Sequence, residues 1–158
     1  DYTAWTAGQT ILETAERLAP EEHVAVEAQY LLLVGALRTL VAGEHTPTQV
    51  LNSYLLRAMS LAGYAPALDA CVMCGHIEQH LFFHVASGGA VCVAHRLPGS
   101  VSPTDEAWML LQALLQGDWA VVDGAAQGTQ TEVSGIIAAY VQWHLERGLR
   151  SLPLVDRT

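Results

Sequence analysis

Residues 71–96 read CVMCGHIEQHLFFHVASGGAVCVAHR and hold all three cysteines of the chain. Cys71, Cys74, Cys92 and His95 fall in the pattern C-x2-C-x17-C-x2-H, two short knuckles on either side of a strand-like run, LFFHVA, and a Gly88-Gly89 turn signal. That order suits a tetrahedral zinc site. One knuckle supplies two ligands, a hairpin brings the chain back, and the second knuckle closes a shell of three thiolates and one imidazole. Gly75 follows the second cysteine, where the backbone must turn sharply. Four protein ligands leave no open position, so the expected Zn²⁺ is structural and takes no part in catalysis. Its net charge with three thiolates is −1, which makes Arg96 an expected neighbour of the site. His76, His80 and His84 lie in the same segment as alternative fourth ligands or exposed hairpin positions, and His95 is preferred because its spacing mirrors Cys74. The bland alternative is three cysteines buried as small core residues, against which stands their confinement to one stretch at knuckle spacing.

A chain of 158 residues is about one domain, large enough to need no disulfide. Three cysteines and no basic, apolar leader at Asp1 predict a reducing compartment, the cytoplasm, with the chain expected to be part of something longer. The longest early run without a charge or turn former, Tyr30 to Leu37, falls far short of a bilayer crossing, so no membrane role is expected. Seven arginines against sixteen carboxylates give a formal charge of −9, a poor balance for binding a phosphate backbone.

Outside the cysteine segment the apolar spacing is helical. A first helix is predicted over Gly8 to Leu18, with Glu13 and Arg17 four apart on one face and Pro20 as its stop. A second, Glu21 to Val41, is apolar on all sides through YLLLVGAL and is therefore expected at the centre of the bundle. A third starts with Thr46 as cap, Pro47 at the first position and Gln49 completing a capping box. Its stripe is Val50, Leu51, Tyr54, Leu55, Ala58 and Met59, and Gly63 stops it. A fourth is predicted to open at Ser102-Pro103 and end at Gly117, with Trp108, Leu111, Leu114 and Leu115 inward. DGAAQGTQT, residues 123–131, reads as an exposed, mobile loop, and a last helix covers about Glu132 to Arg147, burying Ile136, Ile137, Tyr140, Val141, His144 and Leu145. Trp5, Trp108, Trp119 and Trp143 are read as core packing. The predicted fold class is mainly α, a compact helical bundle (1–66 and 100–158) with an inserted zinc-binding β-hairpin module (67–99).

PALDACVMCG, FFHVASGGAVC, HRLPGS and QWHLERGLRSLPLVDR resemble the C-terminal region of bacterial RecO recombination mediators, as do TAGQTILETAERL and YLLLVGALRTL. Many zinc-bearing members have cysteine where this chain has His95. The resemblance implies an N-terminal OB-fold that binds DNA and is absent from these residues, roles in strand annealing and recombinase loading at the nucleoid, and action with RecR and with the tail of single-strand-binding protein. An acidic, apolar-ended tail needs a hydrophobic notch rimmed by arginine, and Arg147, Arg150 and Arg157 form the only locally basic region. Those arginines equally suit a helix C-terminus. The alternative reading has the zinc hairpin contact single-stranded DNA through Arg96, Phe82 and Phe83. No phosphate loop, nucleophile elbow or zinc-protease motif is present, so no enzyme is expected.

Overall fold

The computed structural model describes residues 1–19, 23–77 and 81–155, and their side chains other than those of 23–25 and 148–155. Among them six helices surround one two-stranded sheet: α1 (Tyr2–Arg17), α2 (His23–Ala42), α3 (Pro47–Leu61), β1 (Phe82–His84), β2 (Gly89–Val91), α4 (Asp105–Gln116), α5 (Trp119–Asp123) and α6 (Gln127–Val155). None of these helices is long and apolar enough to cross a membrane.

The central helix is α3, which packs against α1, α2, α4 and α6. Thr46 caps it, accepting from the Gln49 amide at 3.4 Å, and Pro47 opens it. The predicted stripe faces inward, but so do Gln49, Asn52 and Ser53. Their side chains tie α3 to its neighbours: Gln49 Nε2 donates to the Val122 carbonyl (3.3 Å), Asn52 Nδ2 to Ser134 Oγ (2.9 Å), and Ser53 Oγ to the Leu114 carbonyl (2.7 Å). Gln49 is thus drawn away from the second half of the capping box. Such buried bonds contribute modestly when made and cost more when one partner is missing, so they fix which helix lies beside which.

Helix α2 does not occupy the centre. No described side chain on it is fully buried, and Tyr30, Leu31 and Val41 are 62%, 63% and 87% exposed. Only the face carrying Leu32, Leu33, Ala36 and Leu37 meets the core. With α3 already flanked by α1, α4 and α6, the all-round apolar pattern of α2 finds protein on one side alone.

Helix α1 begins six residues before Gly8, because the Asp1 carboxylate caps it (3.0 Å from the Thr3 amide) and Thr6, Thr10 and Thr14 each return a hydroxyl to the carbonyl four residues back. Its inward stripe is Ala7, Ile11 and Thr14, which leaves Trp5 on the opposite face at 63% exposure, outside the core where it was expected. Pro20 and Glu21, the expected stop and start, lie outside the described residues.

The cap of α4 is Thr104, two residues later than Ser102. Val101 and Phe83 exchange backbone bonds at 2.9 and 2.8 Å, holding residue 101 extended, so the helix starts only after Pro103. Residues 123–131 close α5 and open α6 where a loop was expected. Asp123 binds His45 Nδ1 at 2.8 Å, the His45 ring stacks on Trp119 at 4.1 Å, and Gln130 and Thr131 bond back to the Ala125 and Gln127 carbonyls. The turn lacks apolar periodicity because polar contacts hold it.

The main core gathers Ile11, Tyr54, Met59, Leu110, Leu114, Ile137 and Tyr140, and Phe83 of β1 enters it. A second, smaller cluster contains Cys71, Leu81, Ala90, Val91 and Cys92, with Trp108 packed against it. The hairpin register is Phe82↔Val91, Phe83↔Ala90, His84↔Gly89. Tyr140 Oη donates to the Tyr64 carbonyl (2.6 Å), and His144, its ring tilted against Tyr140 at 4.2 Å, reaches the Val85 carbonyl at 3.2 Å.

Gly89 has φ 133°, and a Cβ there would sit 2.6 Å from the Ala67 amide nitrogen; Gly88 has φ 98° with open space around it. Gly89→Ala is expected to cost at least about 2 kcal/mol and Gly88→Ala about 1, compared by denaturant unfolding. Burial holds His144 below its usual range against the opposing Val85 bond, with the Arg147 charge adding to the lowering. A base with a depressed folded pKa takes up protons on unfolding, so its contribution is intact above about 6.5 and falls as pH drops through the lowered folded value. The stability difference between the parent chain and His144→Gln should therefore shift against the parent between about pH 7 and 5.

Candidate metal centre

The two knuckles are placed by one strand. Ala67 sits between Gly88 and Ala90, donating to the Gly88 carbonyl (2.9 Å) and accepting from the Ala90 amide (2.8 Å). The Val72 amide then donates to the Ala90 carbonyl (2.8 Å), which fixes the first knuckle beside β2 two residues before Cys92. The knuckle turns through bonds from Gly75 N to Cys71 O (2.7 Å) and Cys71 N to His76 O (2.9 Å), with Gly75 at φ 74°. On leaving β2 the chain makes a 3-10 turn over Val93–His95, closed by His95 N to Cys92 O at 3.0 Å.

These turns bring Cys71, Cys74, Cys92 and His95 together with all four ligand atoms within 4.8 Å of one another. Cys92 Sγ lies 3.1 Å and Cys71 Sγ 3.9 Å from His95 Nδ1, and Cys74 Sγ lies 3.9 Å from Cys92 Sγ. A tetrahedron with metal–sulfur bonds of about 2.3 Å has sulfur–sulfur edges of about 3.8 Å, which the Cys74–Cys92 separation matches. The group could hold one metal ion. Cys71 and Cys92 are buried and Cys74 is exposed. Burial raises the Cys71 thiol, but backbone hydrogen bonds around it, from Cys92, Cys74 and Met73, outweigh that and bring it down to about 6. Burial pushes Cys92 up.

His84 is engaged elsewhere, its Nδ1 2.6 Å from Ser87 Oγ, where it closes the hairpin turn. His80 lies outside the described residues. Arg96, expected beside the thiolates, places its guanidinium over the Phe82 ring at 4.4 Å and so links the second knuckle to β1. Phe82 is half-buried with Arg96 over one face, whereas Phe83 is 2% exposed between Trp108 and Tyr140 and is buried away from any base. Arg147 covers Trp143 at 4.5 Å, and the side chain of Arg150, like Arg157, lies outside the described residues.

Two further residues had no reading as a site in the sequence. Arg57 stands where two cavities of about 170 and 490 Å³ meet, both lined by Leu31 and Leu32, and it has no carboxylate partner among the described residues. Tyr54, 1% exposed, lines the smaller cavity with a hydroxyl that makes no hydrogen bond. A lone arginine and a core tyrosine at helical spacing carry no sequence signal of a site.

Cys92→Ser is expected to reduce the metal recovered per chain several-fold or more, while His84→Ala leaves it unchanged, as read by elemental analysis of chelator-free protein. Equal metal in both variants would detach Cys92 from the site.

Over residues 1–153 the chain matches the family model described as Recombination protein O C terminal. It is 52% identical over 160 residues to the DNA repair protein RecO of Nocardioides sp., covering 99% of this chain and 66% of that protein. To the RecO of Streptomyces coelicolor it is 53% identical over 157 residues, covering 99% of this chain and 63% of that protein. The RecO of Thermobifida fusca is 51% identical over 157 residues, at 99% and 65% coverage. The chain thus spans just under two thirds of the length of these relatives. No solved structure matches it. The chain belongs to the RecO family of DNA repair proteins and carries the region matched by its C-terminal model.

Proposed function

We propose that this region is the docking scaffold of a RecO recombination mediator, held in shape by one structural Zn²⁺ and serving recognition of partners without catalysis. The zinc assignment is supported by the donor set, three sulfurs and one imidazole nitrogen within 4.8 Å of one another, with no fifth ligand grouped with them among the described residues. When bound, the ion cross-links the two knuckles and so fixes the hairpin that Phe83 anchors in the core.

The groove at Arg57 carries the docking reading. Leu31, Leu32 and Trp119 line it beside Thr39 and Ser53, whose hydroxyls are already bonded to the Gly35 and Leu114 carbonyls, and the Arg57 guanidinium has no carboxylate partner among the described residues. A peptide ending in an apolar residue and a carboxylate matches the leucine wall and the guanidinium, which is the chemistry of the acidic tail of single-strand-binding protein. The arginine rim of this reading is Arg57 in preference to Arg147, whose charge already rests on Trp143. Docking of RecR, strand annealing and recombinase loading follow as roles of the complete cytoplasmic, nucleoid-associated mediator, with DNA held mainly by an N-terminal OB-fold.

A fluorescent tail peptide, followed by anisotropy, should lose about tenfold or more in affinity on Arg57→Ala and little on Arg147→Ala. The opposite pattern would move the rim to the end of α6, and no effect of either would end the tail reading. Chelator-free protein should carry one zinc per chain, and zinc removal should lower its unfolding temperature.

A further inference from the structure

We propose that Cys74 is a site of oxidative modification, and that peroxide converts the Cys74–Cys92 pair to a disulfide that expels the metal. The proposal rests on the zinc reading above. The cluster is unequal in its access to solvent: Cys71 and Cys92 are 3% and 2% exposed, whereas Cys74 lies on the open side of its turn. Met73 beside it is 59% exposed. An oxidant arriving from solvent therefore meets the Cys74 sulfur first.

The second thiol is already in place. Cys92 Sγ is 3.9 Å from Cys74 Sγ, and a disulfide, at about 2 Å, asks for an approach of about 2 Å. Cys74 is the exposed member of the pair, so its side chain can make that approach without displacing core atoms. Cys71 is held back by the Met73 amide on its sulfur at 3.4 Å. The Cys74 thiolate attacks one oxygen of hydrogen peroxide, giving a sulfenic acid and hydroxide. The Cys92 thiolate then displaces a second hydroxide as the sulfur–sulfur bond forms. Two thiolates are oxidised by two electrons, the peroxide is reduced, and the two hydroxides take two protons from solvent to become water. Only Cys71 and His95 remain as ligands, too few to retain Zn²⁺, which leaves as the free ion. A dithiol reductant with added zinc reverses the sequence.

The test treats chelator-free protein, its zinc content measured beforehand, with hydrogen peroxide and follows zinc release with a chromogenic chelator. The disulfide is then mapped by mass spectrometry after alkylation. The expected result is two thiols lost per zinc released, a Cys74–Cys92 linkage, an alkylated Cys71, and recovery of zinc binding after reduction. Cys74→His keeps four ligands and removes the exposed thiol, so its zinc should leave at least tenfold more slowly at the same peroxide concentration. A linkage through Cys71, zinc retained while thiols oxidise, or release from Cys74→His at the parent rate would overturn the proposal. Protein that carries no zinc at the outset would instead overturn the zinc reading, and the disulfide mapped in that sample would still decide whether Cys74 and Cys92 pair.

Discussion

Two backbones touch where Ala67 passes Gly89, and the metal centre depends on that contact. A side chain at residue 89 would overlap the Ala67 backbone, so glycine alone permits Ala67 to bond on one side to Gly88 and on the other to Ala90. Once Ala67 is seated, Val72 is drawn onto the Ala90 carbonyl, and the first pair of cysteines comes to lie beside the strand that ends at the third. The distances among the four ligand atoms thus follow from a backbone register. The metal would meet donors already gathered, which reduces the entropy cost of assembling them.

The helical core supports this register from the other side. Phe83 alternates inward on β1 and reaches Trp108 and Tyr140, while its own backbone pairs with Val101 ahead of α4. Tyr140 and His144 on α6 then hold the chain at Tyr64 and Val85, one on each flank of the hairpin. A structural zinc in an isolated finger supplies on the order of 10 kcal/mol of folding free energy. Here part of that work falls to aromatic packing, so an ion held there would close the outer end of a module whose inner end is built into the helices.

The parts of this arrangement legible in sequence are those where a residue type has one plausible job. Cysteines and a histidine at knuckle spacing point to a metal, and Gly88-Gly89 between them points to a turn, although the contact with Ala67 that requires Gly89 was invisible. The caps were half legible. Thr46 and Pro47 mark α3 unambiguously, whereas Ser102-Pro103 offered the same signal for α4 and lost it to Thr104 because Val101 was committed to Phe83. Residues 123–131 looked like a loop since a short helical turn fixed by His45, Asp123 and Trp119 leaves no periodic trace. For α2, an apolar circumference cannot distinguish burial on all sides from burial on one, since the pattern states what a helix tolerates and the neighbours decide what it meets.

That ambiguity bears on function. The polar side chains of α3 choose its neighbours, and with α1, α4 and α6 in place the fold is closed without the outer face of α2. Tyr30 and Leu31 stay in water at a cost of about 25 cal/mol for each Å² of apolar surface left uncovered, and Leu31 lines both cavities that meet at Arg57. Nothing in the packing of the described residues requires this helix to be apolar on that side. A polar substitution there would improve solubility without touching the core, so the stability of the fold does not explain Tyr30 and Leu31. Leu31 lines the groove at Arg57, so in the docking reading proposed above an apolar group arriving together with an acceptor would cover Leu31 and pair the guanidinium.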